Sequence, residues 1–359
     1  MAFASVPTES RSLINKAGAI LIADAPSVED YTWALDLANR WRACHAYPIN
    51  TFQATLRTRL RAYGDNPIAA QRLKRMPTII DKLKRYPAMK LTTMQDIGGI
   101  RAVLACVKDI HRLVDEYKNS SRLCHDLIDC KDYIQNPRSE DGYRSVHLIY
   151  RYKNKKVPDY DGLRIELQIR TRLQHIWATA VESMGTFLGQ ALKSRQGDQE
   201  WLDFFALISS AFAHKEGTTP VPRFSGLSRE KIWSAIADAE ARLGALNMMR
   251  GLSIAANAIY KTAGPGKGWF YHLIVLNSLE RTVRITPYDR DSFSQALHEY
   301  AHVEAEAAGG AKIEPVLVSA GPLDDLRRAY PNFFLDIDDF VKVVTEIVAE
   351  TKKSNGGTC

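Results

Sequence analysis

Between Leu163 and Arg170 the chain alternates without a fault: Leu163, Ile165, Leu167 and Ile169 interleave with Arg164, Glu166, Gln168 and Arg170. A period of two belongs to a β-strand, because successive side chains leave opposite faces of a pleated sheet. The segment therefore demands a sheet with one packed apolar face and one face crowded with charged and amide groups. A face that merely met water would need no such chemistry, so the rest of the chain decides what the polar side is for.

Around this strand the pattern is mixed. Apolar residues recur at helical spacing over 28–42 and 52–63, with Pro48 and Pro67 as punctuation, so the first ninety residues read as mainly helical. Short β-rich runs follow at 100–107, 145–152 and 163–169, and helical spacing returns over 172–192 and 201–212. Residues 217–226 have the Gly, Pro, Thr and Ser of a linker. A helix is expected over 228–260, opened by Ser228 and Glu230 and closed by the breaker Ala263-Gly-Pro-Gly-Lys-Gly268. Beyond it come a hairpin (269–276 and 282–286), a helix (292–308), a strand (313–319), a short helix (323–329), an aromatic segment and a helix (337–352). The expected organisation is a main domain over 1–215, a linker and connecting helix over 216–265, and a small α/β domain over 266–359. The fold class is α+β, a mixed sheet flanked by helices.

With 359 residues, 45% of them apolar and 25% charged, two or more cores can be filled. No run approaches the roughly 18 apolar residues that span a bilayer, so no membrane association is expected. Five scattered cysteines without a C-x-x-C argue against a disulfide framework and a zinc ribbon, which makes a reducing cytoplasm the simplest location. Charge is uneven. Residues 51–100 hold ten Lys/Arg against three Asp, matching the whole net charge of +7, while residues 301–359 hold six Lys/Arg against ten Asp/Glu. The two segments have the signs to dock on each other.

Asp96-Ile-Gly-Gly-Ile-Arg101 puts a carboxylate at the entry to a strand, with glycines that permit close approach of backbone. Asp132-Tyr-Ile-Gln-Asn-Pro-Arg138 precedes Gly142-Tyr-Arg-Ser-Val-His147, where period two would set Tyr143, Ser145 and His147 on one side. Two carboxylates on separate elements, Asp96 and Glu166, can hold Mg²⁺ and leave its other positions to water and phosphates. Arg72, Lys74, Lys82 and Arg85 would lie on a loop-to-helix element able to aim cations at a triphosphate. Tyr143 offers a flat face for a base.

These motifs, together with Thr78-Ile-x-x-Lys82, Glu166-Leu-Gln-Ile-Arg-Thr171 and Trp177-Ala178 with Glu182, occur in the order and spacing of the RelA/SpoT-type alarmone synthetase domain, which the chain resembles over about 110 residues. The resemblance implies a nucleotidyltransferase-like synthetase fold. It also implies transfer of the β,γ-pyrophosphate of ATP to a ribose 3′-hydroxyl, with Asp96 and Glu166 on Mg²⁺ and Glu166 taking the hydroxyl proton. Arg72, Lys74, Lys82, Arg85 and Arg101 would bind ATP; Tyr143, Arg144, His147, Gln168 and Arg170 would seat the acceptor. Asp141 and Ser183 replace the family's Asn before Gly-Tyr and its His after Glu182. His125-Asp126 reads as a coincidental HD dipeptide without the partner motifs of a hydrolase.

Ala329-Tyr-Pro-Asn-Phe-Phe-Leu-Asp336, after a β-rich module, resembles the regulatory domain of CapRel-like fused toxic small alarmone synthetases. In that resemblance the acceptor is the 3′-CCA end of tRNA. The resemblance also implies that Tyr330 and Phe333, standing where the family has Tyr-x-x-Tyr, would mask the ATP site until a phage capsid protein relieves them. The alternative is a synthetase with a free nucleotide as acceptor. One rival motif, His298-Glu-Tyr-Ala-His302, has the H-E-x-x-H form of a zinc protease but no third ligand in a known downstream pattern, and reads as a solvated helix.

Overall fold

Serines open the first two helices, Arg11–Ile20 (α1) and Val28–Ala43 (α2): the Ser10 and Ser27 hydroxyls accept from the backbone N–H of Leu13 (3.2 Å) and Asp30 (3.0 Å). Glu29 and Asp30 in the first turn of α2, and Arg40 and Arg42 in its last, complement the helix dipole. The structure, a computed structural model, describes residues 3–64, 66–121, 123–188, 192, 197–246, 249, 271–277, 282–289, 291–311, 313–319 and 338–355. Contacts divide the chain into two units: Met1–Leu104, Lys108–Lys131 and Val146–Ile169 in one, Ala105–Val107, Asp132–Ser145 and Arg170–Cys359 in the other.

The first unit continues with Ala46–Leu60 (α3), Ile68–Leu73 (β1), Met76–Arg85 (α4), Gly98–Leu104 (β2), Val107–Lys118 (α5), Asp126–Asp132 (β3), Val146–Arg151 (β4) and Arg164–Thr171 (β5). Its five strands lie in the order β1-β2-β5-β4-β3. Antiparallel pairing sets Ala70 opposite Arg101, and Ile149 opposite Glu166. The alternation of β5 resolves as expected: Ile165, Leu167 and Ile169 are completely buried. Phe52 of α3 and Tyr117 of α5 meet Tyr150 of β4 with ring centroids 5.4 and 6.3 Å apart, so these helices cover the apolar face. Gly98 belongs to that face too. A Cβ there would lie 2.7 Å from Ile165 Cδ1 and 3.1 Å from Ile49 Cγ1, so only glycine lets α3 and β5 close over the start of β2. At Gly99 the nearest atom to an added Cβ is Arg72 O at 3.7 Å, which leaves room above the polar face.

In the second unit, Arg172–Leu188 (α6), Gln199–Glu216 (α7) and Arg229–Leu243 (α8) share a core with Asp338–Asn355 (α10). Phe340 of α10 is fully buried with its ring 6.1 Å from both Phe205 and Phe212 of α7. Glu350 accepts from Trp233 Nε1 and pairs with Arg229, both at 3.0 Å. The expected hairpin is present as Tyr271–Asn277 (β6) against Thr282–Tyr288 (β7), with Ile313–Ser319 (β8) on the other edge of β6. Phe293–Ala308 (α9) packs Ala296, Tyr300 and Val303 on this sheet.

Four local expectations change. The helix expected over 228–260 is interrupted after Leu243, where Gly244 adopts φ 60° and takes the left-handed cap, and residues 250–260 lie outside the described residues. Within the stretch expected to be β-rich, Ile110, Leu113, Val114 and Tyr117 recur at helical spacing and make α5. The loop-to-helix element is a strand-to-helix one, since Arg72 lies in β1. Strand β4 begins at Val146, so period two does not reach back to Tyr143 and Ser145. Residues 263–268, 323–329, Tyr330 and Phe333 lie outside the described residues.

Candidate active site

Asp96 lies two residues before the start of β2 and is held between two lysines. Its Oδ2 accepts from Lys74 Nζ and its Oδ1 faces Lys82 Nζ, each at 2.9 Å. Lys74 follows β1 directly, and its backbone N–H donates to Ile97 O at 2.8 Å, which ties the end of β1 to the entry of β2. Lys82 arrives from the last turn of α4, whose Met76, Ile79 and Leu83 are buried at i, i+3 and i+7 so that the helix presents its cations on the other side. Burial works to raise the Asp96 carboxyl, but the two ammonium groups outweigh it and hold it well below the usual carboxylate range. Burial lowers Lys74 despite the pull of Asp96, with Lys82 and Arg72 adding repulsion.

Glu166 sits midway along β5. His147 Nδ1 donates to its Oε1 at 2.9 Å and Gln168 Nε2 to its Oε2 at 2.6 Å. The antiparallel register, with His147 opposite Gln168 and Ile149 opposite Glu166, puts all four on one face of the sheet. Burial and the charge of Asp96 both push the Glu166 carboxyl up, and His147 with Gln168 brings it below its ordinary value. Half-buried Asp96, at the entry to β2, and buried Glu166, on the neighbouring strand β5, are thus carboxylates within reach of each other's charge.

That donor set fits Mg²⁺: both ligands are hard oxygens, and a divalent cation relieves the repulsion between them. Among the described residues no group of three or more His, Cys, Asp or Glu could hold a metal, so Asp96 and Glu166 would leave its remaining positions to water and phosphates.

The other expected residues divide. Arg72 is close enough to Lys74 for their charges to repel, and Arg101 lies opposite Ala70 on the strand beside it. Arg85 is turned to Asp81, with contacts of 2.9 and 2.8 Å, rather than to Asp96. Tyr143, Arg144 and Arg170 belong to the second unit. There the Arg138 guanidinium covers the Tyr143 ring at 4.5 Å and is pinned by Asp141 at 2.7 Å. Arg144 is buried, donating to Ser209 Oγ (3.0 Å), Ile134 O (3.3 Å) and Thr219 O (2.5 Å), and burial lowers it to about 10. Its visible work is to fix the loop that carries Tyr143. Arg170 is buried against His175.

Sequence reading missed Lys131, whose Nζ donates to Gln95 Oε1 at 3.2 Å beside Asp96. The only signal was its place before Asp132-Tyr133. It also missed half-buried Glu216, which accepts from Thr171 and Gln174 across more than forty residues of chain. His125 of the HD dipeptide is stacked between Phe52 and Tyr152, each at 4.6 Å, and burial lowers its pKa: it is a packing residue. Glu299 of the protease-like motif is bonded to the Tyr288 hydroxyl on the hairpin, and His302 to Glu306 at 3.5 Å.

Residues 71–186 match the family described as the region found in RelA / SpoT proteins. GTP pyrophosphokinase YjbM of Bacillus subtilis is 36% identical over 115 residues, covering 32% of this chain and 53% of that protein. GTP pyrophosphokinase YwaC of the same organism is 33% identical over 125 residues, covering 33% and 58%. The chain spans little more than half the length of these curated relatives. The crystal structure of the small alarmone synthetase 1 from Bacillus subtilis superposes with a TM-score of 0.43 at 25% identity, covering 51% of this chain and 93% of that one. No helix among the described residues is long and apolar enough to cross a membrane.

Proposed function

We propose that this chain transfers the β,γ-pyrophosphate of ATP to the 3′-hydroxyl of the terminal ribose of tRNA, blocking translation, as the toxic part of a fused toxin–antitoxin. The carrying observation is the pair of carboxylates, half-buried Asp96 and buried Glu166, that feel each other's charge beside Lys74 and Lys82. In this reading Lys74, Lys82, Arg72 and Arg101 neutralise the triphosphate, with Arg85 joining if it leaves Asp81. Bound Mg²⁺ would polarise the phosphates and offset their charge.

The acceptor 3′-oxygen bonds to the β-phosphorus, the bond from that phosphorus to the α–β bridging oxygen breaks, and AMP leaves. The hydroxyl proton passes to a Glu166 oxygen. His147 and Gln168 keep that carboxylate ionised and aimed. Phosphoryl transfer asks mainly for positioning and charge stabilisation, so a weakly basic carboxylate suffices.

Residues 1–215 would be the catalytic part, 216–265 the connection, and 266–359 the regulatory part, with Tyr330 and Phe333 masking the ATP site until a phage capsid protein binds. The charge contrast between residues 51–100 and 301–359 supports such masking. A second reading, synthesis of an alarmone on free GTP or GDP, is favoured by the names of the similar Bacillus subtilis pyrophosphokinases. Full-length protein incubated with ATP labelled in its terminal phosphates, Mg²⁺, and either tRNA or GTP separates the two. Label on RNA, abolished by Glu166→Gln, is expected. Label on GTP alone selects the second reading, and transfer that survives Glu166→Gln overturns both.

A further inference from the structure

One group of charges on the polar sheet face has no counterpart. Register pairs Arg151 of β4 directly with Arg164 of β5, so two guanidinium groups stand opposite each other on the face that carries Glu166. Like charges in that position repel. A third arginine joins them: Arg11 lays its guanidinium over Gly162, with Nη2 2.5 Å from the place a Cβ would take. Gly162 has φ +85°, a backbone conformation that disfavours any other residue there.

Among the described residues no carboxylate answers these three arginines. Arg164 donates to Thr93 O, Arg11 and Arg151 are exposed, and none of the three is in an ion pair. Burial, Arg151 and Arg11 all act on Arg164 in the same direction, lowering its pKa, and no acid opposes them. Arg11 also begins α1, whose first turn holds no acidic residue, so the positive end of the helix adds to the field. A chain that needed only solubility would have no reason to gather three cations beside a catalytic carboxylate.

Resting on the function proposed above, we propose that Arg11, Arg151 and Arg164 form a phosphate-binding subsite that holds the acceptor RNA by the phosphodiester preceding its terminal ribose. Arg164 and Glu166 are two residues apart on one strand face, about 7 Å at the usual rise, a distance comparable with the span of one nucleotide. A 3′-hydroxyl at Glu166 therefore brings the preceding phosphate within reach of Arg164. The exposed Arg11 and Arg151 lie where a polymer would leave the site. Guanidinium groups suit the task because each can grip a phosphate with two N–H bonds. A free nucleotide would offer its 5′-phosphates to the same groups, so the test has two arms.

The test uses full-length protein and its Arg11→Gln/Arg151→Gln variant, which leaves Arg164 on Thr93 O. Binding of a fluorescent single-stranded RNA ending in CCA, and separately of labelled GTP, is measured across a salt series without ATP. Lys155→Gln/Lys156→Gln, which removes the same charge from exposed positions nearby, is the control. The expected result is a loss of RNA affinity of about tenfold or more, a salt slope shallower by about 1.4 for two lost phosphate contacts on a single strand, and little change for GTP. The melting temperature should stay level or rise, because the removed charges repel. Equal losses in variant and control, or none in the variant, overturn the subsite. A loss for GTP but not RNA overturns the RNA assignment. If Glu166→Gln leaves transfer intact while the arginine variant still loses RNA, the function falls and the subsite stands.

Discussion

Asp96→Asn is the most informative single change, because it removes the charge that two lysines share. Each ammonium lies 2.9 Å from an Asp96 oxygen, with Lys74 buried and Lys82 and Asp96 half-buried. Removing one partner from a buried ionic group costs about 3–5 kcal/mol, since the remaining charges stay desolvated. The same loss should improve binding of a polyanion. The carboxylate that competes with phosphate for Lys74 and Lys82 is gone, and one charge at about 4 Å contributes on the order of 4 kcal/mol at an effective dielectric of 20. Tripolyphosphate in magnesium-free buffer should therefore raise the melting temperature of the variant more than that of wild type, and bind it at least tenfold more tightly. The gap in stability has a defined pH dependence. The folded carboxyl is depressed, so its contribution is complete above its unfolded value near 4 and disappears as pH falls through the folded value; wild type and variant should converge in acid. An Asn variant that melts with wild type at pH 7 and binds tripolyphosphate no better would refute the two-lysine arrangement.

Gly98→Ala should cost about 1–3 kcal/mol by overpacking against Ile165. Ile165→Val removes the offending Cδ1, so the double variant should lose less stability than the two single changes together, as chemical denaturation can measure. Phe340→Ala should cost about 3–5 kcal/mol, read as a lower denaturation midpoint, because its ring is buried between Phe205 and Phe212. His45 is completely buried, donates Nδ1–H to Trp41 O at 2.9 Å, and is lowered to about 4 by burial. Its contribution is intact above pH ~6.5 and falls by about 3 kcal/mol as pH drops toward 4. His45→Gln should flatten that part of the acid limb in a stability–pH titration.

The strands and most helices were legible because their burial follows a period the sequence displays, as in Leu163 to Ile169. The carboxylate pair was legible through its motifs, Asp96-Ile-Gly-Gly-Ile-Arg101 and the alternating run around Glu166, whose order and spacing resemble a known synthetase domain; the strand order that brings the two together was not. What could not be read were contacts made by side-chain length or distant closure. Arg85 turns to its own helix neighbour Asp81, which no spacing rule favours over a ligand. Arg144 is expected from its motif to seat the acceptor and is instead buried against Ser209, more than sixty residues away. The helix at Val107–Lys118 was hidden by its β-branched start, and its tertiary packing through Tyr117 decided the matter.

Helix α10 has a consequence for how the protein comes into being. The helices it seals emerge from the ribosome about a hundred residues earlier, and at about 5–20 residues per second that is a wait on the order of 5–20 seconds. For that interval Phe205 and Phe212 lack the ring that Phe340 later lays against them. The core shared by α6, α7 and α8 is thus completed only once α10, the last of these four helices in the chain, has been made.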